Sequence, residues 1–238
     1  IIELSEIAEL REKQLLRNPT LTRADVYQTV ARDPLTFAPG STQLYSNTGY
    51  WLLGLIIEKA SGVSYAEYLQ EKIFAPLGMT RTMYCRSAAD MPGTVYGHGI
   101  RPNGLSGRVT EIVHTATFSA GALCSTPRDL VTWLQALHSG KVLSPASYVE
   151  MTSPAELNDG TVLHYAMGLY VGTDGNGLRY IGHDGGGFGY SSDTRWYPES
   201  KLAIVILTNS EPDAISETAD KLAAAVLPPA PVAATFTR

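Results

Sequence analysis

The stretch "LYSNTGYWLLGLIIEKASG", residues 44–62, sets the reading of the whole chain. Its apolar residues recur at helical spacing from about Asn47 to Ala60, and Gly62 follows as a left-handed stop. Ahead of the helix stand Tyr45 and Asn47, two apart. A helix start requires neither. Taken singly, Tyr45 reads as a core tyrosine bonded at its hydroxyl and Asn47 as a helix cap.

Upstream of this helix the chain also reads as helical. Leu, Ile and Ala recur among charges over 3–16, and "TRAD" at 22–25 opens a second helix to about Arg32. "DPLTFAPGS" is a turn-rich approach punctuated by Pro34, Pro39 and Gly40. Downstream, Ser64 with Glu67 restarts a helix to about Phe74, closed by Pro76 and Gly78. Residues 85–116 read as loops with short extended pieces. "STPRDLVTWLQALHSG" is a helix with Ser125 as its cap, His138 in its last turn and Gly140 as its stop. Arg128 and Asp129 read as capping charges.

Past residue 160 the period shortens. "YAMGLYVG", "LRYIGH", "GYSSDTRWYP" and "LAIVILTN" are strands, with "DGNG" at 174–177 a hairpin turn. A last helix runs from about Ala214 to Val226, before an irregular tail. The class is α+β: a mainly helical lobe over 1–160 and an antiparallel sheet with a C-terminal helix over 161–238.

Composition narrows the function. With 238 residues and 44% apolar content, the chain can bury a substantial core. Its net charge of -5 and lack of a Lys/Arg block argue against nucleic acid or an anionic membrane as partner. No apolar run reaches spanning length. No His/Asp/Glu cluster has metal-ligand spacing, and nothing calls for a cofactor. Cys85 and Cys124 are the two cysteines; a disulfide and two buried thiols are both compatible with the sequence.

A second stretch, "GHDGGGFGY" at 182–190, places Gly185, Gly186, Gly187 and Gly189 at a strand end and in the turn beyond it. Glycine there permits close backbone approach, and free N–H groups can face a developing oxyanion. No helix follows, which argues against a phosphate loop.

Three segments occur in order: "FAPGSTQLYSNTGYWLLGLIIEKASGVSYAEYLQEKIFAPLGM", "AGALCSTPRDLVTWLQALHSGKVLS" and "GHDGGGFGYSSDTRWYPESKLAIVILTNS". Together they resemble the serine β-lactamase-like superfamily of class C β-lactamases, DD-peptidases, D-aminopeptidases and family VIII-type carboxylesterases. The resemblance implies a serine hydrolase that cuts ester or amide bonds through an acyl-enzyme. Tyr45 would be the general base and acid, and Asn47 would bond the substrate. His183 would line the site, and the Gly186 N–H would be an oxyanion donor. Asp184, Gly185 and Gly187 would contact the substrate. Members are often exported bacterial proteins, which favours a periplasmic or secreted location.

The family's first element, Ser-x-x-Lys, is absent: no Lys in the sequence has a Ser three residues before it. Three readings follow: a fragment of a longer enzyme, a non-catalytic binding or assembly relative, or an enzyme with a relocated nucleophile such as Ser46 or Ser119. A sheet short of its N-terminal strands would have an open edge, so association with another copy or with the missing segment is expected. At the third element the family usually has Thr or Ser where this chain has Asp184. A carboxylate there would repel a substrate carboxylate, which favours a neutral ester or an amine-bearing amide.

Overall fold

The structure is a computed structural model describing residues 22–32, 35, 37–85, 95–100, 106–108, 117–187, 189–210 and 215–229. The helix expected over 3–16, most of the 85–116 loops and most of the C-terminal tail lie outside these residues.

Helix α1 (Arg23–Ala31) is followed by α2 (Asn47–Ser61), the helix of the opening stretch. The α2 cap is Ser46, whose Oγ accepts from the Gly49 N–H at 3.0 Å, so Asn47 is the first helical residue and not the cap. Gly62 closes α2 at φ 76°, in the left-handed region that glycine enters without strain. The expected capping box forms at Ser64 and Glu67 and opens α3 (Tyr65–Leu69). Sequence reading runs this helix to about Phe74, with Pro76 and Gly78 closing it, and Gly78 is indeed the stop. The run continues through a π turn (Gln70–Phe74) into α4 (Ala75–Leu77) and ends at Gly78, φ 70°. Pro76 has no N–H to give, and the wider turn just before it accommodates that loss.

Short strands β1 (Met83–Tyr84) and β4 (Leu123–Cys124) pair antiparallel beside a disulfide between Cys85 and Cys124, which settles the cysteine question. Between them in sequence, β2 (His98–Ile100) pairs with β3 (Ser106–Arg108). Helix α5 (Pro127–His138) is capped by Thr126 and not by Ser125. The Ser125 hydroxyl lies 2.7 Å from Thr82 Oγ1 instead. Asp129 is more than a capping charge. Buried at 6% exposure, it accepts from the Arg81 N–H at 2.9 Å and from Thr82 Oγ1 at 2.8 Å, tying α5 to the α4–β1 turn. Helix α6 (Pro145–Thr152), which sequence reading passes over, starts with Ser144 as cap and Pro145 in its first turn.

The main sheet is β5 (Tyr170–Thr173), β6 (Arg179–Gly187), β7 (Tyr190–Tyr197) and β8 (Leu202–Thr208), antiparallel in that order. The outer edge of β8 pairs with no strand among the described residues. Helix α7 (Ile215–Val226) covers one face, where Ala219 and Ala223 pack on Tyr197 and Ile204. The other face looks toward α5, with His138 stacked on Trp196 at 5.0 Å. The helical lobe has its own core of Trp51, Tyr65, Leu69, Phe74, Met79 and Phe118. Edge-to-face contacts run through Phe118, 5.7 Å from Trp51 and 5.2 Å from Tyr65.

Candidate active site

Tyr45 is held by the start of α2. The extended cap residue Ser46 (φ -142°, ψ 104°) fixes how the chain enters the helix, and Tyr45 lies immediately before it. His183 is placed by strand register. β5 pairs with β6 only as far as Gly182, opposite Tyr170, so the outer edge of β6 from His183 to Gly187 has no β5 partner. The two rings meet: Tyr45 and His183 have centroids 6.0 Å apart, with the planes tilted by 41°.

The remaining expected residues divide by face. Alternation puts His183 and Gly185 on the Trp196 side of β6, opposite Thr194 and Ser192. Asp184 and Gly186 take the α7 side, opposite Asp193 and Ser191. Asp184 thus does not share His183's face. Its carboxylate stands at the strand rim, with Oδ1 3.9 Å from His183 Nδ1 and its side chain 55% exposed. A Cβ on Gly186 or Gly187 would meet nothing within 4 Å. Glycine there keeps the strand edge bare and serves no packing contact. At Gly185 a Cβ would approach Ser192 Oγ to 2.8 Å, so that glycine has a packing reason as well.

Ser46 and Ser119, the two candidate stand-in nucleophiles, have structural work. Ser46 caps α2. Ser119 Oγ donates to the Tyr50 and Trp51 carbonyls at 2.7 and 3.1 Å, in a space that exists because residue 54 is glycine. The Ser119 proton is thus committed to the α2 backbone, and the Ser46 oxygen to the α2 cap.

Three tyrosines missed by sequence reading complete the aromatic wall. Tyr165 lies 6.3 Å from Tyr45, 5.8 Å from His183 and 4.9 Å from Tyr170, in each case edge-on. Tyr170 lies 5.1 Å from His183. The Tyr165 hydroxyl is 2.9 Å from His183 Nε2, and Tyr50, on α2, hydrogen-bonds Tyr165. Gly168 makes room for this arrangement: it sits at φ 76°, and a Cβ would come within 2.6 Å of the Tyr50 hydroxyl. The only local signal for these residues is an αL-type glycine among aromatics in "YAMGLY"; nothing in that spacing points to residue 183.

Burial and the neighbouring phenols Tyr50, Tyr45 and Tyr170 push the Tyr165 hydroxyl far above the ordinary phenol range. Burial also raises Tyr50, partly offset by its bond to Tyr165. Tyr170 is raised by burial and then by the Asp184 charge. These three phenols stay protonated at neutral pH, as donors and not as bases.

On the α7 side lies a cavity of about 180 Å³ lined by Tyr170, Tyr180, His183, Asp184, Asp193, Arg195 and Ser216. Arg195 is 4% exposed, and its guanidinium bonds both Asp193 oxygens at 3.0 and 2.9 Å and also Asp220. The cavity's fixed charges are therefore one paired cation and a surplus of carboxylate. Among the described residues no group of three His, Cys, Asp or Glu could hold a metal ion. No helix among them is long and apolar enough to cross a membrane.

The family model described as Beta-lactamase matches residues 6–227. Penicillin-binding protein 4* of Bacillus subtilis is 33% identical over 194 residues, which cover 77% of this chain and 43% of that protein. A D-aminopeptidase of Gluconobacter oxydans is 29% identical over 193 residues, 81% of this chain and 36% of that one. Among solved structures, a D-stereospecific amidohydrolase from Streptomyces sp. superposes with a TM-score of 0.77 at 25% identity, covering 89% of this chain and 65% of that chain. The chain spans less than half the length of these two sequence relatives.

Proposed function

Because the chain belongs to the Beta-lactamase family, we propose that it carries the second and third parts of a serine-hydrolase site that cleaves amide or ester bonds through an acyl-enzyme. The observation that carries this reading is the meeting of Tyr45 and His183, brought from separate lobes to 6.0 Å. A Ser-x-x-Lys element, absent from these 238 residues, would complete the site. In that site Tyr45 takes the serine proton and returns it to the leaving group. Asn47 bonds the substrate. The bare Gly186 N–H stabilises the oxyanion.

Amine-bearing amides fit best as substrates. The Asp184 rim and the carboxylate surplus beside it attract an ammonium group and repel a carboxylate. The relatives named D-aminopeptidase and D-stereospecific amidohydrolase point the same way.

The test is intact-mass spectrometry of the product of the whole coding sequence after exposure to a fluorophosphonate. One adduct is expected, on the serine of Ser-x-x-Lys, and Tyr45→Phe slows its formation by about 10² or more. The 238 residues alone should gain none. A second reading, a non-catalytic binding or assembly protein of this fold, draws on the structural engagement of Ser46 and Ser119. An unmodified whole-gene product would favour it and sink the first.

A further inference from the structure

His183 has no nitrogen to spare. Its Nδ1 meets the Asp184 carbonyl oxygen, which only accepts, so Nδ1 carries the proton. The Asp184 carboxylate, 3.9 Å away, favours the same placement. In the neutral ring Nε2 is then the acceptor, and the Tyr165 hydroxyl at 2.9 Å must donate to it. The run is directional: Tyr165 O–H to His183 Nε2, His183 Nδ1–H to the Asp184 carbonyl.

We propose that Tyr165 is a positioning residue that locks His183 as the Nδ1–H tautomer with both nitrogens occupied, so that the β6 strand rejects ligands bearing a free carboxylate beside the scissile bond. Resting on the hydrolase reading, the proposal sharpens its substrate class to amides and esters without that carboxylate. An imidazole offers one in-plane position per nitrogen. With both filled, His183 gives the site an apolar ring face and no donor. The charge beside His183 on the same strand is Asp184, which has the wrong sign for a carboxylate. The Tyr45 ring meets Tyr165 edge-on at 6.3 Å and His183 at a 41° tilt, while the hydrogen bond runs between those two.

The lock is read by NMR of ¹⁵N-histidine-labelled protein at pH 7.5, where long-range proton–nitrogen couplings distinguish the tautomers. His183→Gln identifies the His183 signals. Wild type should show Nδ1–H only. Tyr165→Phe should shift a clear fraction to Nε2–H. A wild-type Nε2–H signal overturns the lock, and so does a Tyr165→Phe spectrum identical to wild type.

Titration with D-alanine amide and with N-acetyl-D-alanine, which bears a free carboxylate, reads the specificity. Wild type should favour the amide. Tyr165→Phe should narrow the gap about tenfold by freeing Nε2 to meet the carboxylate. An unchanged ratio overturns the specificity role. Failure of wild type to bind either ligand overturns the cleft reading and the specificity role together, while the NMR result still decides the lock by itself.

Discussion

His138 stands in the last turn of α5, where a helix dipole favours a cationic ring by about 0.3–1 kcal/mol. Its surroundings outweigh that preference. The ring lies flat on Trp196 (5.0 Å, 3°), Nδ1 is 2.7 Å from the Tyr148 hydroxyl, and Nε2 is buried without a partner among the described residues. Burial lowers its pKa from 6.5 to about 4. As pH falls from 6.5 toward 4 the unfolded chain takes up the proton first, so stability falls with pH in that window. A fully buried ring with such a shift would lose about 3 kcal/mol; partial solvent contact reduces this to roughly 1–2 kcal/mol. Urea denaturation at pH 7 and pH 4.5 should show the loss, and His138→Phe should remove most of that pH-dependent component. The sequence reads the position of His138 correctly but not its neighbours, since Trp196 and Tyr148 reach it from other elements. Tyr45 and His183 differ in this respect: each is marked by a short motif, Tyr-x-Asn before a helix and His-x-Gly on a strand. Tyr165 has no such mark, and its contact with His183 appears only in the folded chain.

Elements with a complete local code were legible. The Ser64–Glu67 box, Gly62 and the alternating strands after residue 160 all carry their instructions within a few residues. Misreadings arose where tertiary bonds redirect a side chain. Ser125 gave up the α5 cap to Thr126 because its hydroxyl meets Thr82, and Asp129 became a buried tie. The Ser144–Pro145 start of α6 is a local signal of the same kind as the Ser64–Glu67 box. The β1–β4 pair shows how elements too short to be stable alone are held. Each has two residues, and the cystine between Cys85 and Cys124 closes a separation of 39 residues. Constraining a loop of that length in the unfolded chain is worth about 2–4 kcal/mol. Replacing both cysteines by serine should lower stability by that amount in urea denaturation with m raised, since the unfolded chain opens further without the crosslink, and adding reductant to wild type should reproduce the shift. A loss below about 0.5 kcal/mol would mean that the β1–β4 junction holds without its crosslink.

Across the whole molecule, the main sheet is a middle layer between α5 on one face and α7 on the other. This layering follows from the helix and strand periods in the sequence, whereas the groups that fasten the layers do not. Arg195 is the fastener on the α7 side. It reaches from β7 to Asp193 on its own strand, and to Asp220 and the Ser216 carbonyl on α7. Asp193 is 3% exposed, so the pair is out of water and its charges depend on each other. The two carboxylates hold the Arg195 guanidinium above its ordinary range despite burial, which opposes the charge. Arg195→Leu would leave Asp193 buried without its ion-pair partner, at a cost of about 3–5 kcal/mol. Removing both partners, as Arg195→Leu with Asp193→Leu, takes away the stranded charge and should recover at least half of that loss. Urea denaturation of the two variants gives the comparison, and hydrogen exchange of α7 amides locates it. Arg195→Leu should raise exchange across Ile215–Val226 before the sheet opens. If the double variant proves less stable than the single one, Arg195 and Asp193 stabilise the fold as a pair beyond what apolar packing supplies, and α7 is held by charge more than by Ala219 and Ala223.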